Sequence, residues 1–334
     1  MNILLELIKK YTRNSFIRNI YKILKIFFAF MYDCKMFTVY GGLSYKMTDI
    51  ERRNYEQVFT CHSLERSFSF KEKKPNWGWR RAYYLLDLLN IAKQSSSIGY
   101  YDKAAKQILE KFIGLPEKLN LEQSQQIKME LEQFDFNSND NHGVMEYSLN
   151  DFNKGKLERP ENFFLTRYSL REFRDQIVND EMIHRAVRLA MKTPSVCNRQ
   201  AWHIYHTCNN EIKGIALSYQ VGNQAFGKNI PNLIIVTADL NGFFSANERY
   251  QHWIDGGLLS MSLMYAFHSL GIATCALNWS QSPKYDKLLR KAVNIKPNHT
   301  VIMMIAVGYP NENNKVCISS RRPFEEVYST LEKR

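Results

Sequence analysis

The spacing of apolar and polar residues changes character twice along the chain. From Asp49 to about Leu131 the apolar positions recur at helical intervals: Ala82, Leu85, Leu86 and Leu89 trace one face, and Ala104, Ala105, Ile108, Leu109 and Phe112 trace another. This predicts an all-helical region over residues 1–134. The pattern then dissolves into Asn, Asp and Gly, with Asn137, Asn139, Asn141, Gly143, Asn150 and Asn153, so residues 135–160 read as a linker. Beyond it, strand-like runs alternate with helices: Trp202 to Thr207, Leu233 to Ala238, Ile272 to Leu277 and Val301 to Val307. Residues 161–334 are therefore expected to form an α+β unit with a mixed sheet flanked by helices. Ile183, Ala186, Val187, Ala190 and Met191 mark one helix after Asp180. Trp253 to Leu270 marks another, nearly all apolar and closed by Gly271, which predicts burial in the core or at a subunit interface.

The first 32 residues carry a separate pattern. Lys9, Lys10, Arg13, Arg18, Lys22 and Lys25 interrupt an apolar series that runs from Leu4 to Phe28. The longest uncharged apolar run, Ile26 to Tyr32, is far shorter than the ~20 residues a transmembrane helix needs. A basic amphipathic helix of this kind fits two settings, an anionic membrane surface or the flank of its own domain.

Charge reinforces the division. The formal net charge is +12, and the first hundred residues hold 17 Lys/Arg against 8 Asp/Glu. An anionic partner is implied, yet the basic front half contains no recognisable nucleic-acid module, so no nucleic-acid binding is expected. The 6 cysteines are widely separated, with no C-x-x-C pair, and read as free thiols of a reducing cytosol. His203 and His206 lie three apart on a predicted strand, so they face opposite sides and cannot share a metal. P-loop, G-x-G-x-x-G and G-x-S-x-G motifs do not occur.

Two constellations could carry chemistry. In Thr166 to Phe173, Arg167 and Arg171 flank Ser169 where a helix is expected to begin, which would gather guanidinium donors, a hydroxyl and free N–H groups around a phosphate. The same residues read structurally as an S-x-x-E capping box, Ser169 with Glu172, and two solvated arginines. In Thr193 to Trp202, Pro194 stops a helix, and Ser195, Asn198 and Gln200 offer neutral donors and acceptors suited to a planar polar heterocycle. The alternative is a polar helix-to-strand turn.

Together, R-x-S-x-R followed by P-S-x-x-N-x-Q-x-W resembles the nitroreductase family. Further likenesses come in order: Gly222-Asn223 ahead of Pro231 to Val236, Asp255-Gly256-Gly257 opening the long apolar helix, Gly271 to Asn278, Val307 to Pro310, and Ser320 to Val327. The resemblance implies an FMN-dependent oxidoreductase that takes electrons from NADH or NADPH and passes them to a small-molecule acceptor, as a cytoplasmic homodimer. It assigns the FMN phosphate and part of the ring to Arg167, Ser169, Arg171 and Arg321. It assigns the flavin lining to Pro194, Ser195, Asn198 and Gln200, in many members from the other subunit, and a pyrimidine-side contact to Asn223. The loop near the reactive edge corresponds to Ala276, Leu277 and Asn278. Arg171 is the candidate for stabilising negative charge on the flavin, and no side chain stands out as a required general acid. Departures from the family pattern are Ala201 in place of a common proline, Ser319 in place of a lysine, and Asn278-Trp279 in place of a glycine-containing turn, which is expected to narrow the pocket.

The front half resembles, more weakly, the helical extension of some nitroreductase-like proteins encoded among surface-polysaccharide genes, through His62 to Ser69 and Trp77-Gly78. His62 and Glu65 could act there as an acid/base pair or lie together on a helix surface. The whole chain thus has a second reading: an accessory flavin-binding protein at the membrane surface, without turnover.

Overall fold

In the computed structural model, the described residues are 15–42, 46–70 and 77–333. The first half of the basic amphipathic segment lies outside them. Its second half is helix α1 (Ser15–Phe37), which ends in a π-helical turn at Thr38–Gly42. Tyr21, Ala29, Tyr32 and Met36 form its half-buried side, and the Tyr32 hydroxyl donates to Asp286 at 2.6 Å. Ile23, Phe27 and Phe30 on the other side are more than half exposed. The helix thus both leans on its own protein and keeps an apolar face outward. No helix among the described residues is long and apolar enough to cross a membrane.

Four helices then make the expected helical region: α2 (Ile50–Phe68), α3 (Trp79–Gln94), α4 (Tyr100–Ile113) and α5 (Glu122–Leu131). The apolar faces anticipated from spacing meet in one core of Leu64, Leu85, Leu89, Ile108, Phe112 and Ile127. Burying six such side chains contributes about 1.5–3 kcal/mol each before chain entropy is counted. A buried ion pair joins α2 to α4: Arg53 Nε lies 3.3 Å from Asp102, whose other bonds come from Gln57 Nε2 and the Gly99 N–H at 2.5 and 2.7 Å. A carboxylate satisfied on all sides is tolerated in a core where an unpaired one is not.

Residues 135–160 are largely exposed, but their first third is tied to the helices: Gly143 N–H donates to Glu65 Oε1, and His142 N–H donates to Gln107 Oε1. Two short helices come next, α6 (Leu149–Asn153) and α7 (Pro160–Leu165).

The sheet is built from β1 (Trp202–Thr207), β2 (Asn232–Asp239), β3 (Ala273–Asn278) and β4 (His299–Gly308) in the order β1-β2-β4-β3. All named strands pair antiparallel, and the parallel component is an isolated bridge from Ser169 to Thr274. Helices α8 (Asp180–Ala190) and α10 (Gln251–Ser269) cover one face through Ile183, Leu259, Leu263 and Phe267, against Ile234 and Val236. Helices α9 (Asn210–Ser218) and α11 (Pro283–Ala292) cover the other through Leu217 and Leu289, against Leu233 and Ile235. Because β2 is buried on both faces, its period-two alternation sorts apolar residues between two cores, not between core and water.

Helix α10 fits this scheme through two glycines. Gly256 lets it approach β4 so closely that a Cβ there would lie 2.5 Å from Ile302 Cγ1, and Gly271 takes φ +72° just past its end. The helix is not buried all round: Ile254 and Leu258 are about half exposed, with Met261 and Tyr265 continuing the stripe. After β4 the chain runs from residue 309 to 333 with a single 3-10 turn, Phe324–Glu326, and little burial.

Candidate functional site

The Arg167 segment does not begin a helix. Residues 167 to 179 are non-helical, the Ser169–Glu172 capping box does not form, and the next helix, α8, starts at Asp180 with Asn179 as its cap. The reason is a long-range bond: Leu170 N–H donates to the Thr274 carbonyl at 3.1 Å, placing Ser169 alongside the start of β3. The helix-terminus argument for a phosphate therefore fails, while the side-chain donors remain. Arg167 is half-buried, Arg171 is exposed, and neither pairs with a carboxylate among the described residues. Arg171 Nη1 lies 3.7 Å from Cys317 Sγ. Nearby, burial pushes the Cys275 thiol up, opposed by Arg171, Ser169 and Arg167.

On β3, Ala276 and Asn278 point outward and Leu277 inward. Trp279 also turns inward, donating from Nε1 to Asp286 at 3.3 Å, so it does not narrow the space beside Asn278 as the sequence suggested. Arg321 lies on the exposed C-terminal segment, where it donates to the Ser319 carbonyl. Asn223 is buried, and its Nδ2 is committed to the Leu217 and Gln220 carbonyls at 2.9 and 2.7 Å, closing the turn after α9. Only its Oδ1 is left for a ligand.

Pro194 to Gln200 forms a tight loop between α8 and β1. Cys197, Asn198 and Gln200 take φ of 49°, 54° and 51°, left-handed values that cost non-glycine residues energy and persist where surroundings over-determine them. Four contacts do so here. Ser195 Oγ accepts from Gln200 N–H at 2.9 Å, Gln200 Nε2 donates to Asn198, and Val196 N–H donates to Asp255 at the start of α10. The fourth is Arg199, which is fully buried, grips both carboxylate oxygens of Glu248, and donates to the Gly242 carbonyl at 2.7 Å. Burial would raise Glu248, but the bonds from Arg199 and Phe244 N–H outweigh it and hold the carboxyl below its usual range.

The two candidate sets do not meet within one chain. Ser195 to Gln200 lead into β1 at one edge of the sheet, while Ser169 pairs with the outer edge of β3 at the other, four strand spacings or about 19 Å away. Register also puts them at opposite ends: Trp202 aligns through Ala238 with Thr300, whereas Thr274 aligns with Val307. Seven residues of strand add about 23 Å, so the sets are separated diagonally by roughly 30 Å.

A polar cavity of about 220 Å³ that the sequence did not reveal lies where α2 meets the sheet, next to Gln200. Tyr55 donates to Asp239 at 3.0 Å, Asn298 donates to it at 2.7 Å, and His299, its register partner across β2 and β4, lies 3.9 Å away. Burial raises Asp239 above the usual carboxylate range. Burial, then His203, Lys296 and Arg290, lowers His299 to about 3. No local signal marks this cluster, because Asp239 and His299 stand sixty residues apart and only strand pairing joins them. The His203 ring lies against that of His299 at 5.1 Å, tilted by 58°, while His206 turns to Asn232 at 3.0 Å on the other face. Among the described residues no ion pair joins His62 to Glu65, and Glu65 accepts from the Gly143 backbone.

Known proteins resemble the chain over this same half. The profile of the Nitroreductase family matches residues 165–232 and 213–309. A Methanothermobacter thermautotrophicus protein, provisionally named NADH dehydrogenase/NAD(P)H nitroreductase, is 31% identical over 154 residues, 44% of this chain and 75% of that one. An Archaeoglobus fulgidus protein of the same provisional name is 28% identical over 152 residues, 44% of this chain and 83% of that one. Among solved structures, a Desulfovibrio desulfuricans protein described as a nitroreductase in complex with FMN is similar at 19% identity and a TM-score of 0.46, covering 54% of this chain and 100% of that one.

Proposed function

Because the chain belongs to the nitroreductase family, we propose that residues 161–334 bind FMN and carry electrons from NADH or NADPH to a small-molecule acceptor, with two copies of the chain completing each site. The observation that carries this reading is the pair of guanidiniums, Arg167 and Arg171, beside Ser169 and the outward edge of β3, with no carboxylate to neutralise them among the described residues. Such a set suits a phosphate monoester, which accepts charge-assisted bonds from arginine and a hydroxyl. Arg321 would reach the same phosphate from the C-terminal segment.

A bound flavin supplies hydride acceptance and electron release, chemistry no side chain offers. The protein's share is to hold and polarise. Arg171 would set a cation against negative charge at the pyrimidine edge, the Ala276 to Asn278 backbone would flank the reactive edge, and Ser195, Asn198 and Gln200 would donate and accept around the ring. The rigid left-handed loop would keep those last three in place without reorganisation.

The diagonal separation of the two residue sets supports a dimer, since a second copy can bring its Ser195 loop to the first copy's Arg167. The stripe on α10 made of the exposed Ile254 and Leu258 with the half-buried Met261 and Tyr265, and the extended C-terminal segment, offer surface for that contact. Purified protein should be yellow, should bleach under NADH or NADPH and recover with an acceptor, and should sediment as a dimer. A colourless monomer that ignores added FMN sinks the proposal.

One observation favours a second reading, in which the protein sits in the cytoplasm at the inner face of the membrane as an accessory flavin protein. Helix α1 exposes Ile23, Phe27 and Phe30 on one side, among lysines. This reading expects flotation with anionic liposomes that Ile23→Ser and Phe27→Ser abolish, together with bound flavin that the nicotinamides leave oxidised.

A further inference from the structure

Between α1 and the sheet lies a cavity of about 710 Å³, within the range of sites for small organic ligands. Its wall is mainly apolar, with Phe30, Phe37, Phe244 and Trp253 contributing rings. None of the residues assigned to FMN lines it, so the cavity is independent of the flavin reading.

One group in this wall lacks a partner. His252, at the start of α10, is 6% exposed, and its Nδ1 is buried without a hydrogen bond. The rings of Phe37, Phe243 and Trp253 surround it at 6.2, 5.9 and 5.1 Å. Burial lowers its pKa to about 4, so near pH 7 it is a neutral imidazole able to donate or accept according to tautomer. A buried polar atom with no protein partner calls for one from outside.

The charges that line the cavity cancel. Asp286 receives bonds from Tyr32, Arg290 and Trp279, and Arg249 lies 4.5 Å over the Tyr250 ring, with Asp33 as the fourth charge. Two acids and two bases leave no net charge in the wall to favour an ion. Phe30 belongs both to the wall and to the exposed apolar side of α1, which sets the mouth of the cavity beside a greasy surface.

We propose that this cavity binds an uncharged, mainly hydrocarbon molecule with a hydroxyl or carbonyl oxygen, and that this oxygen hydrogen-bonds to His252 Nδ1. The hydrocarbon body fills the aromatic wall, and the imidazole fixes the polar end.

The test is a Nile red titration of the full chain, with monoolein as a neutral competitor and oleate as a charged one. Saturable one-to-one binding is expected, displaced by monoolein at least tenfold more effectively than by oleate. Ala29→Trp and Met36→Trp, which fill the cavity from the roof, should each weaken the dye at least tenfold. His252→Phe should weaken monoolein at least fivefold with the melting temperature and flavin content retained, and Phe27→Ser on the outer face should change neither. Absence of saturable binding, wild-type affinity in both tryptophan variants, or loss on Phe27→Ser alone would each overturn the proposal. Equal competition by oleate would refute the uncharged ligand.

Discussion

Replacing Arg199 by methionine tests how the strained loop before β1 is held. The side chain is completely buried, binds Glu248 through both carboxylate oxygens, and reaches the Gly242 and Val196 carbonyls. Its guanidinium also lies 4.8 to 5.6 Å from the ring centres of Phe244, Phe243 and Phe59, the last on α2. Methionine keeps much of the volume but removes every donor. Breaking a buried pair by deleting one partner costs about 3–5 kcal/mol, because the remaining charge keeps its desolvation penalty without compensation. Glu248 is 22% exposed and retains the Phe244 N–H, so water and one bond relieve part of that penalty. A loss of about 3 kcal/mol, the low end, is expected in urea unfolding at neutral pH with an unchanged m-value. Adding Glu248→Leu should recover at least half of it, since the orphaned charge goes too. FMN affinity should fall with the single variant, because Asn198 and Gln200 lose the clamp on their left-handed backbone. A loss below about 1 kcal/mol would refute the argument that the pair is energetically coupled to the loop.

Other outcomes rest on the same geometry. Arg171→Ala should weaken FMN binding at least tenfold in a fluorescence titration while leaving the melting temperature within about 2 °C, as expected for an exposed side chain; an unchanged Kd would remove it from the flavin site. Gly256→Ala should destabilise by about 1–3 kcal/mol, because its Cβ meets the branched Ile302 and α10 must shift off β4; a neutral effect in thermal melts would deny the close approach. Acid should destabilise the fold before most carboxylates titrate. His252 and His299 have folded pKa values of about 4 and about 3 against 6.5 when unfolded, so their contribution is fully present above pH 6.5 and is lost as pH falls toward those lower values. For His252 alone the loss is on the order of 3 kcal/mol. A stability curve flat between pH 6.5 and 4, or one unaltered in His252→Phe, would contradict this.

Much of the architecture could be read from the chain itself. Strands β1 to β4 and helices α8 and α10 fall where apolar period predicted them, since burial on a fixed face imposes a spacing that local sequence must carry. The same logic located the helical region and the residues of its core. It failed at Ser169, where a capping signal is a four-residue pattern but the backbone answers to Thr274, a hundred residues away. It also misdirected Trp279, because a residue after a strand end gives no sign of which way its ring turns.

What spacing determined, then, was which segments are helix or strand and which faces are apolar, both properties of a few consecutive residues. Strand order was decided only in three dimensions, and it sends the Arg167 and Ser195 sets to opposite corners of the sheet. The joining of Asp239 to His299 and the cavity roofed by α1 were decided there too. Contacts of that kind depend on which surfaces fit when distant segments pack, and the energy selecting them is shared among side chains that no local pattern connects.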